Sequence, residues 1–210
     1  MSTKRLTRKQ RERMRHKGEI LKSALCLFSQ KGFGNVSMQE IAKESEFSVG
    51  TLYNFFESKE ALFEELISST GQEVLSELLE VLEGPGSEKE RLSAFIRHQQ
   101  KFQEKHGDVI KLYVSEFGIM GSKLSKIRHG SQIHKVLDSI LEELVREGIR
   151  KGYFRAVDPA ITAKSLGAIT ETLIFETTGC VDPETVTEMF AKVEQLFIDG
   201  LIRPEGRNDE

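Results

Sequence analysis

The chain has 210 residues, of which 38% are hydrophobic and 30% are charged, and its formal net charge is −3. This composition is typical of a soluble globular protein of one or two domains. No stretch approaches the ~18 consecutive apolar residues of a membrane span, and no apolar segment follows the basic first residues as it would in a signal peptide. We therefore expect a cytoplasmic protein.

The two cysteines, Cys26 and Cys180, lie far apart and lack the spacing of a metal site. This usage fits a reducing compartment. Cys26 stands among Ala24, Leu25 and Leu27, so we expect it to be a small buried hydrophobic residue rather than a redox-active one.

Positive charge is concentrated at the start of the chain. Residues 1–22 hold nine lysines and arginines against two glutamates, a net charge of +7, so the other 188 residues carry −10. This asymmetry indicates that the N-terminal segment meets an anion, with nucleic acid as the first interpretation and a membrane surface as the second. Residues 1–10 are also compatible with a solvated, disordered tail.

The sequence predicts an all-α fold, because its four prolines fall between long stretches of helical periodicity and nothing resembles a series of strands and turns. The first helix is predicted over 8–31, where Gly32 and Phe33 form its C-terminal stop. The next helices begin at serines that suit the N-cap position, two of them in capping boxes with a glutamate three residues later. These N-cap serines are Ser37, Ser48, Ser58 and Ser87.

The second half of the chain continues the helical pattern. A further segment is expected over 108–120, and an amphipathic helix after it ends at Lys151-Gly152-Tyr153. The last two helices begin alike, with Asp158-Pro159 and Asp182-Pro183, each an N-cap aspartate before a proline at the first helical position.

Two short helices joined by a tight turn, after a longer helix and a basic arm, are the parts of a helix-turn-helix DNA reader. The second short helix would enter the major groove, where the small residues Gly50 and Thr51 let its backbone approach the DNA. Tyr53 can donate to a phosphate, and Asn54 can reach a phosphate or a base edge. A second interpretation is a packed helical hairpin that binds nothing.

The segment "SMQEIAKESEFSVGTLYNFFESKEALFEEL" (37–66) carries a recognisable pattern, with Ile41-Ala42, Gly50-Thr51-Leu52-Tyr53 and Ser58-Lys59-Glu60 in register. It resembles the DNA-binding domain of the TetR family of transcriptional repressors. The resemblance covers roughly residues 12–66, and beyond them the chain is similar to the family only in length and helical pattern. It implies a homodimer whose C-terminal domain binds a small molecule that changes its affinity for an operator.

The resemblance also implies roles for individual residues. Phosphate contacts are expected from Ser37, Ser48, Thr51, Tyr53 and Lys59, and base contacts from Gln39, Val49, Gly50 and Asn54. Arg15 of the basic segment completes the expected DNA-binding set. Two positions depart from the family pattern. Glu46 replaces the turn glycine, so we expect a reshaped or mildly strained turn. Val49 replaces a residue that is commonly cationic or polar, which favours an apolar contact such as a thymine methyl.

The last two helices carry apolar stripes wider than one neighbouring helix would cover, which predicts self-association as a four-helix bundle. The competing interpretation is that the stripes only close the core of one subunit. The predicted interface residues are Ile161, Leu166, Ile169, Leu173, Val186, Met189, Phe190, Val193 and Phe197.

The middle of the chain is the predicted sensor for a small hydrophobic or amphipathic effector, because aromatic residues with a few polar groups are typical of a ligand pocket. The expected lining is Phe95, His98, Phe102, Tyr113, Phe117 and Met120. Each of them is also compatible with ordinary core packing. A metal site is disfavoured, because His98 and His106 are eight residues apart and do not form a one-face helical chelate.

The sequence lacks a phosphate-binding loop, a nucleophile elbow and a zinc-protease pair, so we expect no enzyme, no cofactor and no metal. The expected domains are a DNA-binding domain over 1–57, an effector-binding and dimerisation domain over 58–203 and a tail over 204–210. The predicted function is a ligand-responsive regulator that a small organic molecule releases from a palindromic operator. The alternative is an architectural DNA-binding protein without an effector.

Overall fold

The computed structural model describes residues 7–117, 128–179 and 181–202, with only the backbone of Phe117 and of residues 128–132. The regular elements in these ranges are helices, which confirms the predicted all-α class. The helices are α1 (Arg8–Lys31), α2 (Met38–Glu44), α3 (Val49–Phe55), α4 (Lys59–Leu82), α5 (Glu88–Phe117), α6 (Arg128–Arg150), α7 (Pro159–Thr177) and α8 (Pro183–Leu201). A 3-10 turn, Phe33–Asn35, follows α1.

The helices begin at the predicted caps. Ser37 and Ser87 each accept the backbone N–H of a glutamate three residues on, and that glutamate's carboxylate accepts the serine's own N–H, so both capping boxes are complete. Asp158 and Asp182 cap α7 and α8 by accepting the backbone N–H of Ile161 and of Thr185, and each is followed by proline in the first turn. These contacts lie within four residues of chain, which is why the sequence alone indicates them.

The chain forms two compact units, one up to Ser69 and one from Thr70 on, so α4 contributes to both. In the first unit Ile20, Ile41, Leu52 and Leu62 are fully shielded from solvent, one from each of α1 to α4. The first turns of α4 belong to this core, which is why the unit extends past the expected boundary at residue 57.

In the second unit α6 packs against α7 and α5 packs against α8. The ring of Phe154 lies on Gly148, so close that a Cβ on Gly148 would be 2.2 Å from Cδ2 of the ring. The chain reaches this position by turning at Gly152, whose φ is 79°, after the end of α6. The predicted stop at Lys151-Gly152-Tyr153 therefore also delivers an aromatic ring into the core.

The helix α5 is kinked at His106, where φ is −117° and ψ is 15°. The sequence predicts a separate segment from about residue 108, and the structure places it as the continuation of α5 beyond this kink. The imidazole at the kink is buried.

The expectation for Cys26 is corrected. Cys26 is exposed rather than buried, and its Sγ accepts a hydrogen bond from Nε2 of Gln30 at 3.2 Å. It lies beside the core-facing stripe of α1 rather than on it, so apolar sequence neighbours did not indicate burial. Cys180 and the predicted tail, 204–210, lie outside the described residues. Among the described helices, none is long and apolar enough to cross a membrane.

Candidate nucleic-acid interface and sensor region

The turn between α2 and α3 is built around a residue in the left-handed conformation. Glu46 has φ 59°, and among the described residues it is the only one other than glycine with a positive φ. The N–H of Glu46 donates to the carbonyl of Lys43 at 3.3 Å, and the N–H of Phe47 donates to that of Ala42 at 3.0 Å. This is the Schellman pattern that normally uses glycine. The turn therefore has the hydrogen bonds of a glycine-containing turn, although Glu46 carries a side chain.

The helix α3 has one packed face and one open face. Leu52 is fully buried, and Ser48 accepts the N–H of Thr51 at 3.0 Å to cap the helix. On the other side Tyr53 is half exposed and Asn54 is exposed. A helix anchored from behind with polar side chains in front is the form that a major groove admits.

Near the start of α2, the carboxylate of Glu40 has a lowered pKa and lies beside the ammonium of Lys31. Nζ of Lys31 donates to Glu40 at 2.8 Å, and Ser37 donates to the same carboxylate through its N–H and its hydroxyl, at 2.9 Å each. These hydrogen bonds lower the pKa of Glu40 to about 2. Gln39, which precedes Glu40 and is predicted to contact DNA bases, is exposed.

Lys59 lies at the first position of α4 and holds the loop after α1. Its ammonium donates to the carbonyls of Phe33 and Val36, each at 2.8 Å, and lies 4.4 Å from the centre of the Phe33 ring. An ammonium has three donors, so these two carbonyls leave one donor that they do not use. The structure thus gives Lys59 a positioning contact that the sequence pattern did not indicate.

The basic helix α1 contacts α3 directly. The guanidinium of Arg13 lies 4.8 Å from the centre of the Phe55 ring, and Nη2 donates to the carbonyl of Asn54 at 3.4 Å. Arg15, the predicted DNA contact, is exposed, and its Nε lies 3.8 Å from Glu19. Sequence reasoning missed Arg13 as a site residue, because its ring partner is forty-two residues away in the chain.

Four of the predicted sensor residues, Phe95, His98, Phe102 and Tyr113, lie on α5 at different depths. Phe95 and Tyr113 are buried, whereas His98 and Phe102 are half-buried. The rings of Tyr113 and Phe175 stack with centroids 5.8 Å apart, and burial raises the pKa of Tyr113 to about 12. Two further atoms, Nδ1 of His98 and Oε1 of Gln103, are buried without a hydrogen-bond partner among the described residues. The side chain of Phe117, and Met120 as a whole, lie outside the described residues.

A second polar group lies where α4 faces α5, and sequence reasoning missed it. Nζ of Lys105 donates to Glu73 and to Glu77 at 2.5 Å each, and Nε2 of His98 lies 3.7 Å from Oε2 of Glu77. The hydrogen bond from Lys105 lowers the pKa of Glu77. Burial lowers the pKa of His106, which lies beside the same carboxylates.

The predicted interface residues of α7 and α8 differ in how deeply they are buried. Leu166, Val186 and Phe190 are buried in the core of this chain's second unit, where they pack within the single chain. Leu173, Val193 and Phe197 are partly buried against the same core, and Met189 is half-buried. Ile161 and Ile169 are exposed, as is Leu196, at 66%. One side of each wide stripe thus packs into the subunit core, and the other side leaves apolar side chains exposed to solvent.

A basic helix, a helix-turn-helix with a polar front face and a separate helical unit define a helix-turn-helix DNA-binding protein. The family model for bacterial regulatory proteins of the tetR family matches residues 20–66. The model for the tetracyclin repressor-like C-terminal domain matches residues 85–195. The chain belongs to the tetR family of bacterial transcriptional regulators, so the recognition from residues 37–66 is confirmed. Regulators of this family bind DNA operators and act as dimers with small-molecule effectors.

Relatives agree with this assignment over most of the chain. The uncharacterised HTH-type transcriptional regulator YdgC of Bacillus subtilis (strain 168) is 30% identical over 196 residues, which cover 90% of this chain and 93% of YdgC. The HTH-type transcriptional repressor KstR2 of Mycobacterium tuberculosis (strain ATCC 25618 / H37Rv) is 23% identical over 139 residues, 66% of this chain and 69% of KstR2.

Solved structures share the fold. FadR from Bacillus subtilis in complex with stearoyl-CoA has a TM-score of 0.71 at 18% identity, covering 87% of this chain and 98% of that one. A TetR-family regulator from Syntrophomonas wolfei str. Goettingen has a TM-score of 0.72 at 23% identity, covering 92% and 100%.

Proposed function

We propose that the chain is a repressor that binds a palindromic operator as a homodimer and is released from it by a small, largely apolar organic molecule. The observation that carries the proposal is the form of α3, whose Leu52 is buried while Tyr53 and Asn54 face outward. A twofold dimer would present two such helices to two half-sites about one DNA turn apart.

Support for contacts to DNA comes from exposed polar side chains of α1 to α3 and their caps, namely Arg15, Gln39, Ser48, Tyr53 and Asn54. The proposed phosphate contacts are Arg15, Ser37, Ser48, Thr51, Tyr53 and Lys59, and the proposed base contacts are Gln39, Val49, Gly50 and Asn54. On a randomised site library, Tyr53→Phe should lower affinity for all sequences nearly alike, whereas Asn54→Ala should relax preference at particular bases. Identical behaviour of the two variants would contradict these roles.

Support for dimerisation comes from the exposed apolar residues of the last two helices. Ile161, Ile169 and Leu196 are solvent-exposed in the single chain, and burying them against a second copy is favourable at about 25 cal/mol per Å² of apolar area. The proposed interface is this exposed set together with the partly buried Leu173, Met189, Val193 and Phe197.

Support for an effector comes from buried polar atoms among aromatic rings in the second unit. Nδ1 of His98 and Oε1 of Gln103 are shielded from water yet form no hydrogen bond among the described residues, and such groups are normally paired. The proposed ligand therefore has an apolar body with a hydrogen-bonding group. FadR of Bacillus subtilis, which shares the fold, was solved with stearoyl-CoA.

The test is release from an operator. Stearoyl-CoA, palmitate and a panel of steroids are titrated into the protein–operator complex, and fluorescence anisotropy of labelled DNA reports the bound fraction. We expect at least one compound to release the DNA and His98→Leu to weaken that response, while His134→Leu, which changes an exposed histidine of the same unit, leaves it unchanged. A compound that saturates the protein without changing operator affinity would contradict the proposed mechanism and favour the architectural alternative.

A further inference from the structure

Two carboxylates of α4 and one imidazole of α5 converge within the second unit. Glu73 and Glu77 are one helical turn apart on α4, so both lie on one face of that helix. A carboxylate oxygen of each and a ring nitrogen of His106 all lie within 4.8 Å of one another. Residues from two helices thus meet at a point that no spacing in the sequence indicates.

His106 is the buried member of this group. The residue is 9% exposed, and its Nε2 is shielded from water without a hydrogen-bond partner among the described residues. A buried imidazole that leaves a ring nitrogen unpaired is costly, because such nitrogens are normally paired with a donor, an acceptor or a metal. The kink of α5 at His106 sets this ring at a break in the helix, against Phe102 with centroids 5.1 Å apart.

A cation already occupies the space between the two carboxylates. Nζ of Lys105 lies 2.5 Å from an oxygen of Glu73 and 2.5 Å from an oxygen of Glu77. The Lys105 side chain is half exposed and flexible, so its ammonium can move into water at little cost. Without it the two ionised carboxylates would repel each other, so this position favours a positive charge.

We propose that Glu73, Glu77 and His106 bind a divalent transition-metal ion, with the ammonium of Lys105 as the counter-ion that the metal displaces. Two carboxylate oxygens and one imidazole nitrogen are a ligand set that suits Zn²⁺ or Mn²⁺ and leaves coordination positions for water or for a ligand. Bonds of about 2.0–2.1 Å place tetrahedral ligands roughly 3.3 Å apart, a contraction that rotation of the two glutamate side chains can supply. His98 lies next to the site, with Nε2 3.7 Å from Oε2 of Glu77. The inference does not depend on the proposed operator or effector.

The experiment is isothermal titration calorimetry of the untagged, full-length protein with ZnCl2 and with MnCl2. We expect saturable binding of one ion per chain, weakened at least about tenfold by Glu77→Gln and by His106→Phe. The phenylalanine keeps an aromatic ring beside Phe102 while removing both ring nitrogens. Matched controls are Glu80→Gln, an exposed glutamate of the same helix, and His16→Phe, a histidine of the first unit, and both should bind as the parent does.

A gain-of-function variant protects the test against misfolding. Lys105→Met removes the competing ammonium and should bind the metal more tightly than the parent protein, which a damaged fold would not do. Circular dichroism checks that each variant is folded. Absence of saturable binding of either ion, or equal affinities of the His106→Phe and His16→Phe variants, would overturn the proposal, because the cluster would then be a hydrogen-bonded ion pair only.

Discussion

The guanidinium of Arg13 lies 4.8 Å from the centre of the Phe55 ring and so joins the basic helix to the recognition helix. Arg13 also donates to the carbonyl of Asn54, the last exposed polar residue of α3. The arginine therefore supports the proposed recognition helix, in addition to adding positive charge to α1.

Arg13→Ala should lower operator affinity more than Arg11→Ala does. Both substitutions remove one exposed positive charge from α1, but only Arg13 has the ring contact with α3. The expected excess is about two- to fivefold in Kd, since an exposed cation–π contact contributes ~0.5–1 kcal/mol. Titrations of labelled operator at several salt concentrations measure it. Equal losses for the two variants would mean that Arg13 acts through charge alone.

Glu46→Gly should stabilise the protein. Glu46 has φ 59°, a conformation that costs a residue with a Cβ about 1–2 kcal/mol, whereas glycine adopts it freely. Glycine loses more backbone entropy on folding, so the expected net gain in the free energy of unfolding is about 0.5–1 kcal/mol. Urea unfolding measures the gain, and Glu44→Gly, at the last helical position of α2, should destabilise instead.

Gly148→Ala should destabilise the second unit. A Cβ at this position would lie 2.2 Å from the buried ring of Phe154, so the ring must move, at a cost of about 1–3 kcal/mol. Gly167→Ala is the control, because a Cβ there would meet its nearest atom at 3.8 Å and the helix gains from alanine. Thermal unfolding should show a lower Tm for the first variant and an unchanged or higher Tm for the second. A neutral Gly148→Ala would contradict the observed packing of Phe154.

The Ser37–Glu40 cap should lose its stabilising effect in acid. The pKa of Glu40 is depressed to about 2 in the folded protein, so its contribution is complete above the unfolded pKa near 4.5 and is lost as the pH falls through about 2. Glu40→Gln keeps a side chain that can accept the cap hydrogen bond but removes the charge. The Tm difference between the two proteins should be largest near pH 7 and should vanish toward pH 2. A difference that persisted unchanged at pH 2 would show that the charge of Glu40 is not responsible.

Local signals in the sequence predicted the helices, because caps such as Ser37 with Glu40 and stops such as Gly152 depend on residues within a few positions. They also predicted the helix-turn-helix, whose parts lie within thirty residues. The contacts of Arg13 with Phe55 and of Lys59 with Val36 were not predicted, because tertiary packing decides them.

The apolar stripes of α7 and α8 show a second reason why the sequence alone did not predict the structure. Periodicity identified Leu166 and Phe190 as apolar-face residues, but it could not tell the side that packs into the subunit core from the side that stays exposed. Likewise Glu73, Glu77 and His106 belong to two helices, so their spacing along the chain does not indicate that they meet. For Cys26 the prediction was wrong. Its apolar neighbours in the sequence indicated burial, but its position on the helix leaves the side chain exposed.

The most direct test of the proposed function is selection of bound sites by the purified protein from a randomised duplex library, at a salt concentration of roughly 0.15 M that weakens non-specific phosphate contacts. We predict an enriched palindrome whose half-sites are centred about one helical turn of DNA apart, as a twofold dimer with one recognition helix per half-site requires. Salt-sensitive binding without any enriched sequence would contradict a sequence-specific dimeric repressor and would favour an architectural DNA-binding protein.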